Sequence, residues 1–153
     1  MADDYLIRPA SSADIADLVR IERACFSDPW SAQGFQEVLS ARGSLGLIAQ
    51  DETDAVAGYL LARSVLDECE ILNLAVLPEA RRKGIGRRIL ERALAEIRAG
   101  GVTRIYLEVR PSNQPAQSLY ADFGFRPLGL RPNYYRSPRE DGLVLCLTIG
   151  ATA

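Results

Sequence analysis

The chain has 153 residues, of which 48% are hydrophobic and 25% are charged, a composition typical of a globular protein with a sizeable core. Its formal net charge of -2 favours neither a nucleic acid nor an anionic membrane as a partner. The chain has no histidine, which excludes a Ser-His-Asp triad and histidine-ligated metal sites.

Cysteine usage and the N-terminal segment indicate the compartment. Cys25, Cys69 and Cys146 are widely spaced and form no CxxC pair, so reduced thiols are expected rather than a disulfide framework or a zinc site. The acidic segment 1–4 leads straight into a predicted strand and is unlike a signal peptide. No apolar run approaches the length that crosses a bilayer. We therefore expect a cytoplasmic protein without a bound metal.

The first half of the chain predicts strands around a pair of helices. Residues 5–8 have the pattern of a short strand stopped by Pro9. Ser11 and Ser12 offer an N-cap for the first helix, and the break at residues 27–31 starts the second. Further strands are predicted at residues 45–50, 55–63 and about 70–76.

The second half predicts two more helices that alternate with strands. The apolar residues change to helical spacing from Gly84, and Asn113 can cap the last helix. The predicted strands lie at residues 104–109, 125–136 and 143–149. Because there is no linker or repeat, the simplest organisation is one α+β domain over residues 1–153, with a mixed sheet and helices on both faces.

A segment rich in basic residues and glycine separates the strand that ends near Val76 from the helix that begins near Gly84. Gly84 and Gly86 allow a backbone to approach a phosphate closely. The first helical turn presents unpaired N–H groups and the positive end of the helix dipole. The cations around it are Arg81, Arg82, Lys83, Arg87 and Arg88. These features alone leave two readings open, an anion site or a solvated basic face with turn glycines.

Two familiar nucleotide loops do not fit this segment. A Walker loop requires GxxxxGK[ST], whereas Lys83 precedes Gly84 and no serine or threonine follows. The dinucleotide fingerprint GxGxxG would need a third glycine where Ile89 stands. A nucleotide-binding protein is therefore a weak hypothesis.

Two motifs resemble those of the GNAT superfamily of N-acetyltransferases. Arg81-Arg82-Lys83-Gly84-Ile85-Gly86 resembles its [QR]xxGx[GA] signature and follows a strand as in that family. The segment from Asn113 to Phe125 has the matching pattern Asn-x6-Tyr-x3-Gly-Phe. The order of elements agrees over essentially the whole chain. The resemblance implies the GNAT fold, a mixed and largely antiparallel sheet of about seven strands flanked by about four helices.

The resemblance also implies that acetyl-CoA is the co-substrate. Its pyrophosphate would lie on the glycine segment, and the strand at residues 74–76 would splay from its neighbour to bind the pantetheine arm through free backbone groups. An N–H near Val76 would stabilise the thioester oxyanion. The cofactor-binding residues implied in this way are Leu74, Ala75, Val76, Arg81, Arg82, Lys83, Gly84, Ile85, Gly86, Arg87, Asn113 and Tyr120.

Glu108 is the candidate general base. Amide formation from a thioester requires a neutral amine, and strand alternation places Glu108 on the same face as Tyr106. Spacing alone also allows an ordinary ion pair with Arg104 or Arg110. The strand around Glu108 resembles the one that supplies the base in superfamily members that acetylate ribosomal-protein N-termini. The resemblance implies that Glu108 deprotonates the amine, directly or through water.

Tyr120 is the candidate general acid. It lies on the apolar stripe of its helix, where ordinary packing is the alternative. A phenol with a pKa of about 10 suits protonation of a thiolate. The matching tyrosine of the superfamily protonates the coenzyme A thiolate, so direct transfer without an acetyl-cysteine is implied.

Trp30, Tyr134 and Tyr135 are candidates for the acceptor slot. Taken alone, the tyrosines are ordinary strand residues. The run 131–135 and the loop around Trp30 resemble the peptide-binding segments of the members that acetylate ribosomal proteins. The implied acceptor is a protein N-terminus, the N-terminal alanine of a small-subunit ribosomal protein. A lysine side chain, a small-molecule amine, or a non-catalytic acyl-CoA-binding module remain as alternatives.

Overall fold

A computed structural model describes residues 4–150, which form seven strands and four α-helices. In chain order these are β1 Leu6–Pro9, α1 Ile15–Cys25, α2 Ala32–Ser40, β2 Ser44–Gln50, β3 Val56–Val65, β4 Glu68–Val76, α3 Ile85–Ala99, β5 Arg104–Val109, α4 Gln114–Asp122, β6 Arg126–Tyr135 and β7 Glu140–Thr148. Residues 1–3 and 151–153 of the predicted domain, including most of the acidic N-terminal segment, lie outside the described residues.

The strands form one sheet in the order β1-β2-β3-β4-β5-β7-β6. All neighbouring strands pair antiparallel except β4 and β5, which are parallel and are connected through α3. A parallel pair requires such a crossover, because the chain must return to the same end of the sheet. The predicted mixed and largely antiparallel sheet with about four helices is confirmed.

Helices cover both faces of the sheet. Gly58 and Tyr59 are adjacent on β3, so they face opposite sides. A side chain at Gly58 would meet Ile89 of α3 at 3.3 Å. The Tyr59 ring packs edge-on against Phe35 of α2, with ring centroids 5.7 Å apart. The predicted arrangement is therefore confirmed, with α1 and α2 on one face and α3 on the other.

The helix starts are fixed by polar side chains. The cap predicted at Ser11 or Ser12 opens a short 3-10 turn, so α1 begins only at Ile15. Asp14, 5% exposed, ends that turn and accepts a hydrogen bond of 2.8 Å from the Ser11 N–H. Its carboxylate also accepts two bonds from Arg8 of β1, at 2.9 and 3.0 Å. This pair ties the first strand to the first helix.

The later helix starts agree with the sequence. Ser31 Oγ accepts from the Gly34 N–H at 3.1 Å, and Asn113 Oδ1 accepts from the Ala116 N–H at 3.2 Å. Both are N-caps in the ordinary sense. None of the helices within residues 4–150 is long and apolar enough to cross a membrane.

Strands β4 and β5 separate soon after they pair. Within the described residues their register runs only from Glu68–Glu70 opposite Arg104–Tyr106. Beyond that point β4 stays paired with β3 as far as Val76, and β5 stays paired with β7 as far as Val109. We call the gap between residues 71–76 of β4 and 107–109 of β5 the fork. The splayed strand expected from the resemblance is present here.

Candidate active site

A cleft of about 480 Å³ lies in the fork. Its lining includes many of the residues predicted for the site, namely Trp30, Leu74, Glu108, Asn113, Tyr120, Tyr134 and Tyr135. The other predicted residues do not line this cleft in the described chain. Residues 75 and 76 end β4, and residues 81–87 form the glycine segment and the first residues of α3. Residues far apart in the sequence therefore meet at the fork.

The fork allows groups from opposite faces of the sheet to meet. Glu70 of β4 is the cross-strand neighbour of Arg63 and Tyr106, and all three lie on the α1–α2 face. Glu108 follows Tyr106 by two residues and shares that face. Tyr120 belongs to α4, which lies beside α3 on the other face, since a Cβ at Gly86 would meet Leu119 at 3.7 Å. In a closed sheet the strands would separate Glu108 from Tyr120.

The surroundings of Glu108 act on its pKa in opposite directions. Its side chain is 11% exposed, and its Oε1 lies 3.2 Å from Nη1 of Arg131 on β6. Burial raises the pKa of the Glu108 carboxyl above its usual range near 4.5, and the charge of Glu70 raises it further. Arg131 acts in the opposite direction. The result is a carboxyl with more affinity for a proton than an exposed glutamate has.

The ion pairs that spacing allowed for Glu108 are wrong. Arg110 instead pairs with Glu140, at 3.3 Å, and Arg104 interacts with Tyr106. The partner of Glu108, Arg131, reaches it across β7, because β7 lies between β5 and β6. Strand order places it there, and strand order is not visible in the periodicity of one segment.

Tyr120 is a buried phenol at the cleft. It is 7% exposed, and its ring packs edge-on against Phe125 with centroids 5.6 Å apart. Burial raises the pKa of Tyr120 above 10, so the hydroxyl carries its proton throughout the neutral and mildly basic range. Tyr120 can therefore serve as a proton donor, although a weaker one than a free phenol.

The glycine segment has the geometry of an anion site. Gly84 adopts φ = 80°, in the left-handed region that favours glycine, and it directly precedes α3. Glycine has no side chain with which to cap α3, so the first N–H groups of α3, at Ile85, Gly86 and Arg87, remain available to a ligand. A Cβ at Gly86 would meet no atom closer than 3.7 Å. A pyrophosphate fits this helix start.

Arg81 has a role that the sequence did not indicate. Its Nε donates to the Val76 carbonyl at 2.9 Å, and its Nη2 lies 3.5 Å from Cys25 Sγ. Arg81 thus folds back and fastens the glycine segment to the last residue of β4. The resemblance predicts instead that Arg81 binds the pyrophosphate.

Two further predicted cations are engaged by the protein itself. Arg87 pairs with Asp122 of α4 at 2.6 Å on the surface. Arg88 donates to the Tyr5 carbonyl at 2.6 Å, next to β1. The helix start therefore depends less on these arginines than their density in the sequence suggests, and more on its backbone.

Tyr134 and Tyr135 form an aromatic wall of the cleft. Their rings are perpendicular, with centroids 4.9 Å apart. Arg110 lies over the Tyr135 ring at 4.4 Å. A Cβ at Gly142 would meet Tyr134 at 2.9 Å, so this glycine is required for the tyrosine to pack against β7.

Trp30 faces this wall from the loop between α1 and α2. Its ring packs against Phe35, with centroids 5.4 Å apart. In the same loop, Ser27 Oγ donates to the Ser137 carbonyl between β6 and β7. The loop and the hairpin therefore close over one side of the cleft.

The buried carboxyl of Glu22 connects the elements around the cleft. Glu22 of α1 is 2% exposed and accepts hydrogen bonds from the Trp30 N–H at 3.0 Å, from Asn73 at 2.7 Å and from the Tyr59 hydroxyl. It joins α1, β3, β4 and the Trp30 loop. The signal in the sequence is a charged residue at an apolar position of the helix, where an unpaired carboxylate would be costly.

Cys25 and Cys69 lack the surroundings of a nucleophile. Cys25 lines the cleft, but burial raises the pKa of its thiol, and Arg81 only partly opposes this. Burial also raises the pKa of Cys69. A thiol that keeps its proton is a poor nucleophile.

A mixed sheet that opens beside a glycine-led helix is the architecture of an acetyltransferase. The chain belongs to the acetyltransferase (GNAT) family, which matches residues 15–125. This confirms the family that the two sequence motifs indicated.

Two relatives and one solved structure indicate which kind of acetyltransferase this chain resembles. The chain is 35% identical over 142 residues to the ribosomal protein bS18-alanine N-acetyltransferase of Salmonella typhimurium, covering 91% of this chain and 94% of that protein. It is 34% identical over 146 residues to the Escherichia coli K12 protein of the same name, covering 94% and 97%. The crystal structure of the ribosomal-protein-S18-alanine N-acetyltransferase from Escherichia coli matches with a TM-score of 0.88 at 30% identity, covering 97% and 98%.

More distant structures share the fold. An N-acetyltransferase from Thermoplasma acidophilum, solved in complex with coenzyme A, matches with a TM-score of 0.79 at 19% identity. The match covers 95% of this chain and 99% of that one. At this identity the likeness concerns the fold alone.

Proposed function

We propose that the chain transfers acetyl from acetyl-CoA directly to a protein N-terminal α-amine, that of the N-terminal alanine of ribosomal protein bS18. Residues 1–153 act as one cytoplasmic domain. The observation that carries the proposal is the fork, where a carboxyl from one face and a phenol from the other share one cleft. The relatives named for this acceptor, which match this chain over more than nine-tenths of its length, support the choice.

The acetyl-CoA site consists mainly of backbone groups. The N–H groups of Ile85, Gly86 and Arg87 and the dipole of α3 bind the pyrophosphate, with Arg82 and Lys83 adding charge beside it. Residues 74–76 have no strand beside them on the fork side and offer backbone groups there to the pantetheine arm, with the Val76 carbonyl already bonded to Arg81. When bound, acetyl-CoA supplies the thioester carbonyl at the cleft, and Asn113 borders it from the cap of α4.

Glu108 prepares the acceptor. An α-ammonium has a pKa of about 7.7–8.0 and cannot attack until it loses a proton. Glu108 accepts that proton, directly or through one water, and its raised pKa narrows the gap between base and ammonium. The neutral nitrogen then attacks the thioester carbonyl, and an N–H near Val76 stabilises the oxygen as it becomes negative.

Tyr120 completes the transfer. The C–S bond breaks, and the sulfur receives the proton of the Tyr120 hydroxyl. The new amide nitrogen gives up its second surplus proton, which restores the phenol, while Glu108 returns its proton to solvent. Acetyl is carried directly, in keeping with the protonated Cys25 and Cys69.

Trp30, Tyr134 and Tyr135 enclose the acceptor. Aromatic side chains from the loop and the hairpin line the cleft, and such a wall suits a small apolar first residue such as alanine.

The acceptor can be determined with peptides. Peptides beginning with Ala, Ser, Met or Gly are incubated with acetyl-CoA beside matched peptides that have a blocked N-terminus and an internal lysine. We expect thiol release and α-amine acetylation, fastest for Ala, with the modified atom identified by mass spectrometry. Preferential acetylation of the blocked peptides would refute the α-amine assignment. Tight binding of acetyl-CoA without thiol release would indicate a non-catalytic module.

A further inference from the structure

Glu70 stands at the point where the fork opens. It is the last residue of β4 that pairs with β5, opposite Tyr106. Glu108 lies two residues beyond Tyr106 on the same face of the sheet. Both glutamates line the cleft, and both also line a shallower groove beside it. Two carboxyl groups therefore converge where the amine must lose its proton.

The two carboxyl groups are neighbours at the fork. Glu70 raises the pKa of the Glu108 carboxyl through its negative charge and through the proximity of its side chain. Arg131 holds Glu108 from the opposite side, with 3.2 Å between Nη1 and Oε1. Glu108 is thus placed between an anion on β4 and a cation on β6.

The surroundings of this pair are mixed in charge. The titratable and charged groups that face it are Arg63 of β3, Glu68 of β4, Tyr106 of β5, Cys146 of β7, and Arg131, Tyr134 and Tyr135 of β6. Glu68 bonds to the Tyr106 hydroxyl at 3.3 Å, and Arg63 is the cross-strand neighbour of Glu70. Among the groups that act on Glu108, Glu70 comes first after burial.

We infer that Glu70 is a positioning residue for Glu108, holding its carboxyl in the fork and opposing the charge of Arg131. The inference rests on the proposed function, in which Glu108 is the base. A base paired with a guanidinium alone would stay ionised but would take a proton weakly. The second carboxylate restores its basicity and fixes its direction toward the cleft.

Direct titration of Glu108 tests the inference. The side-chain carboxyl carbons of glutamate are followed by 13C NMR against pH, with the Glu108 signal assigned by its loss in Glu108→Gln. In Glu70→Gln the Glu108 titration should move to lower pH, because the amide has nearly the same shape as the carboxylate but removes the like charge. Glu68→Gln removes the same charge two residues along the same strand face, and it should leave the Glu108 titration in place.

Kinetics add a second readout. We expect Glu70→Gln to lower kcat by less than the loss in Glu108→Gln, which removes the base and costs about 10²–10⁴-fold. The KM for acetyl-CoA should stay unchanged, and Glu70→Asp should recover part of kcat. A purely structural role would lower the amount of folded protein without moving the Glu108 titration.

Several outcomes would overturn the inference. An unmoved Glu108 titration in folded Glu70→Gln would do so, as would an equal movement in Glu68→Gln. If Glu70→Gln does not fold, Glu70→Asp should still move the titration downward by a smaller amount, and no movement there also refutes the inference. The titration requires no turnover, so an inactive wild-type protein would defeat the proposed function without deciding the coupling.

Discussion

At the scale of single residues, the proposed role of Glu108 as the base predicts that turnover depends on pH in a defined direction. The base acts when ionised, and its pKa is raised above the usual 4.5 by burial and by Glu70. We expect kcat at saturating substrates to rise with pH through this raised pKa. The rise should occur at higher pH than it would for an exposed glutamate. Glu108→Gln should lower kcat by about 10²–10⁴-fold and remove this rise. Glu37→Gln, on the exposed face of α2, is the matched control and should leave the profile unchanged.

Tyr120 predicts a different profile. Burial keeps its pKa above 10, so no decline in kcat below pH 10 should arise from Tyr120. Tyr120→Phe keeps the edge-on packing against Phe125 and removes the proton donor, so we expect a loss of about 10²-fold or more in kcat with little change in unfolding temperature. Tyr5→Phe, outside the cleft, should leave kcat intact. Full activity of Tyr120→Phe would exclude Tyr120 as the acid.

At the scale of elements, substitutions at the two ends of α3 distinguish the cost of backbone strain from the loss of ligand binding. Gly84 and Gly101 both have positive φ, 80° and 83°, so alanine at either position should cost about 1–2 kcal/mol of unfolding free energy. Only Gly84→Ala should also weaken binding of coenzyme A, since Gly101 lies beyond the other end of α3. Thermal unfolding and calorimetric titration measure the two effects. Equal coenzyme A affinity in both variants would contradict the assignment of the glycine segment.

The junction of β1 and α1 predicts acid sensitivity. Arg8 holds the pKa of Asp14 below its usual 3.8, so its stabilisation is present above that value and is lost as pH falls through the lower folded pKa. Asp14→Asn should cost about 1.5–3 kcal/mol near pH 7 and progressively less in acid. Asp17→Asn disrupts an exposed pair with Arg20 and should cost less than about 1 kcal/mol. Urea unfolding across pH distinguishes them, and equal losses would contradict the argument.

The elements could be predicted because their signals are local. Strand β5 lies at residues 104–109 as alternation indicated, and Asn113 caps α4 as its type suggested. The contacts made across the sheet could not be predicted in this way. Arg131 reaches Glu108 over β7, and Arg81 turns back to Val76, through distances set by strand order and loop path. The fork could be predicted only from the motif resemblance. Periodicity alone predicts an ordinary buried strand there.

At the scale of the whole molecule, the sheet has two parts. Strands β1 to β4 lead into the glycine segment and α3, whereas β5, β7 and β6 carry Glu108 and the aromatic wall of Tyr134 and Tyr135. Within residues 4–150 their direct strand pairing is the short register from Glu68–Glu70 to Arg104–Tyr106. The bond from Ser27 to the Ser137 carbonyl links the parts at the opposite side of the cleft. The site is thus bounded by both parts.

The fork leaves part of β4 without a strand on one side, and this has a consequence for local opening of the backbone. Amide hydrogens of residues 71–76 that face the fork should exchange with solvent faster than those bonded to β3. A pantetheine arm lying there would act as an additional strand, so coenzyme A should slow their exchange selectively. Mass spectrometry of deuterium uptake with and without coenzyme A measures this, with residues 44–50 of β2 as the internal reference. The substrate would then be a temporary member of the sheet, and each turnover would close and reopen it.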